Sequence, residues 1–217
     1  MNQRSFKPAQ NLSTILFWGS LWGLTEASLG HMLHLLGIPG LAGFFMFPVG
    51  LYFMVRALKS TGKISAVPTA AVVAASLKLI DLFLPGTHLF QAVNPALAIL
   101  SESLAFLFVI KMIRHPSGLF RYQSILSAVF GWRLIYSFFQ ISFLIVFSGM
   151  TGIFQSGTAN ILRFFILDSL VNFLIISGAQ RVFRFRIPPR WKLPSSPHPA
   201  LSLALCLFAI LATIVLQ

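Results

Sequence analysis

This chain of 217 residues is short of charge, and above all of negative charge. Four Asp and Glu stand against sixteen Lys and Arg, and charged residues make up 9% of the whole. An ordinary soluble domain has about 25% charged and about 45–50% apolar residues, whereas 57% are apolar here. So few charged side chains cannot cover that much apolar surface in water. The shortage excludes a disordered chain, a nucleic-acid-binding module and a soluble enzyme of the usual kind. Cysteine is scarce too: Cys206 is the single one, so no intramolecular disulfide forms. The sequence has no Gly-x-Ser-x-Gly elbow, His-Glu-x-x-His or Walker A motif. No catalytic residue is therefore assigned, no cofactor is implied, and the chain brings no ATPase of its own. The alternation of a β-barrel is also missing, which leaves helices as the way across a bilayer.

What is present is a succession of long apolar runs. A hydrocarbon core about 30 Å thick needs roughly 20 residues of helix. The runs predict seven spans, at 13–36, 40–57, 67–84, 92–112, 123–148, 159–180 and 199–216. Arg4 and Lys7 precede the first run as they would in a signal peptide. That run is too long, and no small-residue cleavage site follows it cleanly, so it reads as an uncleaved helix. The expected fold is an all-α integral membrane protein, a polytopic helical bundle with a six-helix core and a seventh C-terminal helix. Residues 1–12 are an N-terminal segment, 13–182 the core, 183–198 a basic, proline-rich linker and 199–217 the seventh span. Pro48 is expected to kink the second span.

The positive charges are sorted by connection. Thirteen of the sixteen Lys and Arg fall at the N-terminus or in alternate loops: Arg4 and Lys7; Arg56, Lys59 and Lys63; Lys111, Arg114 and Arg121; Arg181, Arg184, Arg186, Arg190 and Lys192. The loops near Gly37, near Gly86 and from Gly149 to Gly157 carry none. This positive-inside pattern predicts a cytoplasmic N-terminus and an outward C-terminus. The net charge of +12 then reads as contact with anionic lipid headgroups and not with nucleic acid.

The remaining charges lie inside the spans. All four acidic residues, Glu26, Asp81, Glu102 and Asp168, are there, with Lys78, Arg133 and Arg163. Each costs at least about 2.5–3.5 kcal/mol at a helix centre, so such groups face one another or a wet cavity. Helical spacing places them on stripes of small and polar residues. The stripes are Gly19, Gly23, Glu26, Ala27, Gly30 and His34; Ala66, Ala70, Ala74, Lys78 and Asp81; Asn94, Ala98, Ser101, Glu102 and Ala105; Arg133, Ser137 and Gln140; and Asp168 with Asn172. With the predicted orientation, most of these groups converge on the outer half. The candidate ligand-binding set is Glu26, His31, His34, Lys78, Asp81, Asn94, Glu102, Arg133, Gln140 and Asp168.

Plainer readings compete with this one. Lys78 and Asp81 are three apart and can pair with each other. Arg163 can snorkel to the headgroups, and Arg133 can staple helices through Glu102 or Asp168. His31 and His34, with Asp81 or Asp168, suggest a metal site. Two histidines three apart also arise by chance, and no metal site is assigned. Trp18, Trp22, Trp132 and Trp191 fit span or interfacial positions. Two small-residue tracks, Gly19-x-x-x-Gly23-x-x-x-Ala27 and Ala66-x-x-x-Ala70-x-x-x-Ala74, let helices approach closely, within the bundle or in docking a partner.

With its size, its six-helix core over roughly residues 10–182 and the Ala66/Ala70/Ala74 track, the chain resembles the substrate-binding (S) component of energy-coupling-factor vitamin transporters. The resemblance implies a bacterial cytoplasmic-membrane protein that binds a vitamin-like micronutrient in the outer half. It also implies that Ala66, Ala70 and Ala74 dock a transmembrane coupling subunit driven by separate ATPases. The seventh helix departs from that family, most of whose members have six. The expected function is a membrane-embedded binding subunit for uptake of a small polar solute. Two alternatives stay open: an intramembrane enzyme or proton-coupled carrier using the buried carboxylates, and a structural or assembly protein without a ligand.

Overall fold

In a computed structural model the chain is a bundle of helices. The structure describes residues 8–36, 41–112, 122–147, 154, 157–186 and 197–216, and no strand occurs among them. Helix α1 (Pro8–Thr25) passes through a π-helical turn (Glu26–Gly30) into the short α2 (His31–Leu35). Then follow α3 (Leu41–Thr61), α4 (Ala66–Leu79) with a 3₁₀ turn (Ile80–Phe83), and α5 (Leu89–Met112). Helices α6 (Tyr122–Phe147), α7 (Thr158–Phe165), α8 (Leu167–Arg186) and α9 (Pro199–Leu216) complete the order.

Six stretches are long and apolar enough to cross a membrane: Leu41–Thr61, Ala66–Phe83, Leu89–Met112, Tyr122–Phe143, Thr158–Arg181 and Pro199–Leu216. They correspond to the second to seventh predicted spans. The first predicted span is the one that differs. Its helix begins at Pro8, takes in the polar Gln10, Asn11, Ser13 and Thr14, and is broken by the π turn at Glu26. The sixth span is two helices, α7 and α8, broken at Ile166. Pro48 sits inside α3, and so does Pro95 inside α5. Gly62 ends α3 with φ +68°, and its N–H donates to the Leu58 carbonyl at 2.8 Å. That left-handed C-terminal turn favours glycine.

Helices α1, α4, α5, α6 and α8 follow one another round the bundle, each packed on the next. Helix α3 packs against α1, α4, α5 and α8 and so closes the ring. Helices α1 and α4 approach closely. A Cβ on Gly19 would lie 2.8 Å from the Ala70 carbonyl oxygen and 2.7 Å from Val73 Cβ, and one on Gly23 would lie 3.0 Å from Leu77 Cβ. The glycine track of α1 thus meets the alanine track of α4, and Ala66, Ala70 and Ala74 are wholly buried. The alanines expected to dock a partner face α1 in this structure. Gly19 and Gly23 have no Cβ, and the alanines have nothing longer, so the backbones come together.

Helix α9 lies on α1, on the π turn and on the 3₁₀ turn. The Ser13 hydroxyl donates to the Pro197 carbonyl at 3.0 Å and lies 2.9 Å from Ser202 Oγ. Its buried residues, Ser202, Ala209 and Thr213, are small or polar, while Leu203, Leu207, Phe208, Leu211 and Val215 are exposed. Large apolar side chains outward and small ones inward is the pattern for a helix facing lipid. It would be a liability in water.

The aromatic core was not foreseen in this form. Trp18, Trp22 and Trp132 are buried within the bundle; Trp191 lies outside the described residues. Trp132 stacks on Phe47 with centroids 5.6 Å apart and meets Phe164 edge-on at 5.5 Å.

Candidate functional site

All seven charges of the predicted spans lie in described segments, and no two share the same helical segment. Glu26 is in the π turn, Lys78 in α4, Asp81 in the 3₁₀ turn, Glu102 in α5, Arg133 in α6, Arg163 in α7 and Asp168 in α8. Glu26, Asp81, Glu102, Arg133 and Asp168 are buried. The groups are linked pairwise, each to the next. Lys78 Nζ meets Asp81 Oδ2 at 2.6 Å, the i,i+3 pairing that the spacing allows. Lys78 lies within electrostatic reach of Glu26, Glu26 of Glu102, Glu102 of Arg133, and Arg133 of Asp168. Arg163 Nε stands 3.6 Å from Asp168 Oδ1, an ion pair too long for a hydrogen bond. Three irregular stretches help to place these groups. The π turn carries Glu26, the 3₁₀ turn carries Asp81, and the break at Ile166 falls between Arg163 and Asp168. Turns of this kind inside long helices recur at functional sites.

Arg133 is the best-bonded member. It is fully buried. Its Nε donates to the Phe164 carbonyl at 2.8 Å, Nη1 to the Val129 carbonyl at 2.8 Å and Nη2 to Asn172 Oδ1 at 2.7 Å. Its guanidinium also lies over the Trp132 ring, 4.6 Å from the centroid, and 5.2 Å from that of Phe164. Asn172 in turn donates to the Gly43 and Phe44 carbonyls at 3.1 and 2.8 Å. Arg133 and Asn172 therefore tie α6, α7, α8 and the start of α3 together. The Phe164 carbonyl is free to accept because α7 ends within two residues of it.

The carboxylates are less well served. Trp22 Nε1 donates to Glu26 Oε1 at 3.2 Å. Glu102 Oε2 has no hydrogen-bond partner among the described residues, and neither has Asp81 Oδ1 or Asp168 Oδ1. Glu102 Oε2 and the Trp22 ring lie against Gly50 of α3, where a Cβ would stand 2.6 and 2.9 Å from them. Trp22, Gly50 and Glu102 thus meet at one point where α1, α3 and α5 converge.

A second polar group lies on α5 and α6. Gln140 Nε2 donates to Asn94 Oδ1 at 2.7 Å and to the Tyr136 hydroxyl oxygen at 2.9 Å. His31 is half-buried on α2 and hydrogen-bonds to no other candidate residue in the described structure. The side chain of His34 lies outside what the structure describes. The described residues contain no group of three His, Cys, Asp or Glu placed to hold a metal.

The candidate set therefore divides. Glu26, Lys78, Asp81, Glu102, Arg133 and Asp168 share one electrostatic line, Asn94 and Gln140 form a separate hydrogen-bonded pair, and His31 stands apart. Trp22, Gly50, Asn172 and Tyr136 belong with the site and were not in the candidate set. Three of these had a signal in the sequence. Trp22 is one turn before Glu26, Tyr136 one turn before Gln140, and Asn172 one turn after Asp168. Gly50 had none, because its role depends on which helices meet. Comparison with known families, characterised proteins and solved structures finds no match for this chain.

Proposed function

We propose that the chain is a multi-pass protein of a bacterial cytoplasmic membrane, with its N-terminus inside, that binds a small polar solute for uptake. One observation carries the reading: among the described residues, buried carboxylate oxygens on three segments, Asp81 Oδ1, Glu102 Oε2 and Asp168 Oδ1, have no hydrogen-bond partner. A purely structural network would satisfy its buried acceptors, since a partly satisfied one costs more than an apolar core. The solute is vitamin-like in size and carries both signs of charge or hydrogen-bonding groups to match. Glu26, Lys78, Glu102, Arg133 and Asp168 contact it. The orientation rests on the alternation of Lys and Arg between connections. Uptake would need a coupling subunit and ATPases supplied by other chains, because this chain has no nucleotide-binding motif.

Native mass spectrometry on protein extracted gently from its membranes tests the reading. The expected result is a discrete adduct of small-molecule mass that Glu102→Gln or Asp81→Asn removes. A bare chain, with variants that change only the melting temperature, would sink it.

The structural reading has an observation of its own. Arg133 uses Nε, Nη1 and Nη2 on protein acceptors. On that reading the line of charges staples the helices, and its variants would alter stability alone.

A further inference from the structure

The seven intramembrane charges, four acidic and three basic, do not balance. Their sum is −1, and the structure locates the surplus. Lys78 is engaged by Asp81 at 2.6 Å, and Arg163 faces Asp168 at 3.6 Å. Arg133 lies within electrostatic reach of Asp168 and Glu102, and its hydrogen bonds go to Phe164, Val129 and Asn172, while the positive charge near Glu26 is Lys78, already engaged by Asp81. Among the described residues, Glu26 accepts from the Trp22 indole and Glu102 Oε2 accepts no hydrogen bond. Glu102 is 4% exposed, and the two carboxyls lie within electrostatic reach of each other. Like charges placed together in a low-dielectric interior cannot both stay ionised without a positive charge between them.

We infer that Glu26 and Glu102 together hold one monovalent positive charge at the π turn, either a shared proton or a small alkali cation bound between them. The site is built from several elements. The π turn brings Glu26 inward, Trp22 fixes one of its oxygens, and Gly50 leaves room for Glu102 beside the indole. The other ionisable groups on the surrounding elements are His31 and His34 on α2, Arg56 on α3, Lys78 on α4 and Asp81 on its 3₁₀ turn. Arg133 and Tyr136 on α6, Arg163 on α7 and Asp168 on α8 follow; Tyr52 and Lys59 on α3, Lys111 on α5, Tyr122 on α6, Arg181, Arg184 and Arg186 on α8 and the Cys206 thiol on α9 are the others. Lys78 and Arg133 flank the pair and hold the requirement to a single added charge. The site goes beyond solute binding, since it needs its charge whether or not a solute is present.

The test uses the full chain in detergent and has two arms. In the first, thermal unfolding is followed while sodium replaces N-methylglucamine at constant ionic strength. A cation that binds only the folded state raises the melting temperature with its concentration. In the second, infrared spectroscopy looks for the C=O stretch of a protonated carboxyl. The expected result is one of the two signals in the wild type: sodium stabilisation identifies the alkali cation, and the acid band identifies the proton. E26Q and E102Q should each abolish that signal, and Gly178→Ala, where an added Cβ meets nothing within 4 Å, should leave it. Absence of both signals in the wild type overturns the inference even if a variant fails to fold. A signal that survives in E26Q or E102Q also overturns it. A solute adduct seen with neither signal would overturn the cation site and leave the binding reading standing. A signal without an adduct would do the reverse.

Discussion

Replacing Gly19 by Ala sets two opposed effects against each other. Alanine is the better helix former by about 0.8–1.0 kcal/mol, so propensity alone predicts a more stable protein. Packing predicts the opposite. The new Cβ would lie 2.8 Å from the Ala70 carbonyl oxygen and 2.7 Å from Val73 Cβ, whereas ordinary contact begins near 3.4 Å. The carbonyl is backbone and cannot swing away, so α1 and α4 must part by roughly half an ångström along their closest contact. Overpacking of this kind costs about 1–3 kcal/mol. Separation also weakens the close backbone contact that small residues permit in a membrane. The expected net effect is a loss of about 1–2 kcal/mol once helix propensity is offset. Gly178 in α8 is the matched control. A Cβ there meets nothing within 4 Å. Gly178→Ala is therefore expected to stabilise by about 0.5–1 kcal/mol. Both variants would be compared with the wild type by reversible unfolding in mixed micelles. If Gly19→Ala were as stabilising as Gly178→Ala, the α1–α4 contact would not exist as described. The alanine face of α4 would then be open to a partner after all.

Arg133→Met removes the donor to the Phe164 and Val129 carbonyls and to Asn172. With buried acceptors left behind, the loss should be about 3–5 kcal/mol, seen as poor yield and early unfolding. Asn172→Leu should cost about 1–3 kcal/mol by the same assay, because Arg133 Nη2 and two carbonyls of α3 lose their partner. The paired substitutions Ser13→Cys and Ser202→Cys, made in a Cys206→Ser background, should form a disulfide on mild oxidation, visible as a shift on a non-reducing gel. Failure to cross-link would count against α9 lying on α1. In the same background, Gly86→Cys should react with an impermeant thiol reagent from outside intact cells and Lys63→Cys only after lysis. The reversed result would overturn the proposed orientation.

Composition and hydrophobic run length were enough to show that this chain is a bundle of membrane-length helices. Burying apolar surface against lipid needs only long apolar segments with satisfied backbones, and both are local properties. They could not reveal the π turn at Glu26 or the break at Ile166, because irregular turns inside long helices answer to neighbouring helices more than to local propensity. The Lys78–Asp81 pair was legible because both partners are on one chain segment, three residues apart. The Arg133–Asn172–α3 tie was not, because it joins α6, α8 and the start of α3. The small-residue tracks of α1 and α4 showed that something packs closely there. Only the tertiary structure decided that they pack on each other, since Gly19 and Ala70 come within reach only once α1 and α4 lie side by side. The sequence likewise contained the surplus negative charge among the residues of the predicted spans. Its place, between Glu26 and Glu102 beside Trp22 and Gly50, depends on three helices meeting at one point, and no spacing along a single chain segment encodes that.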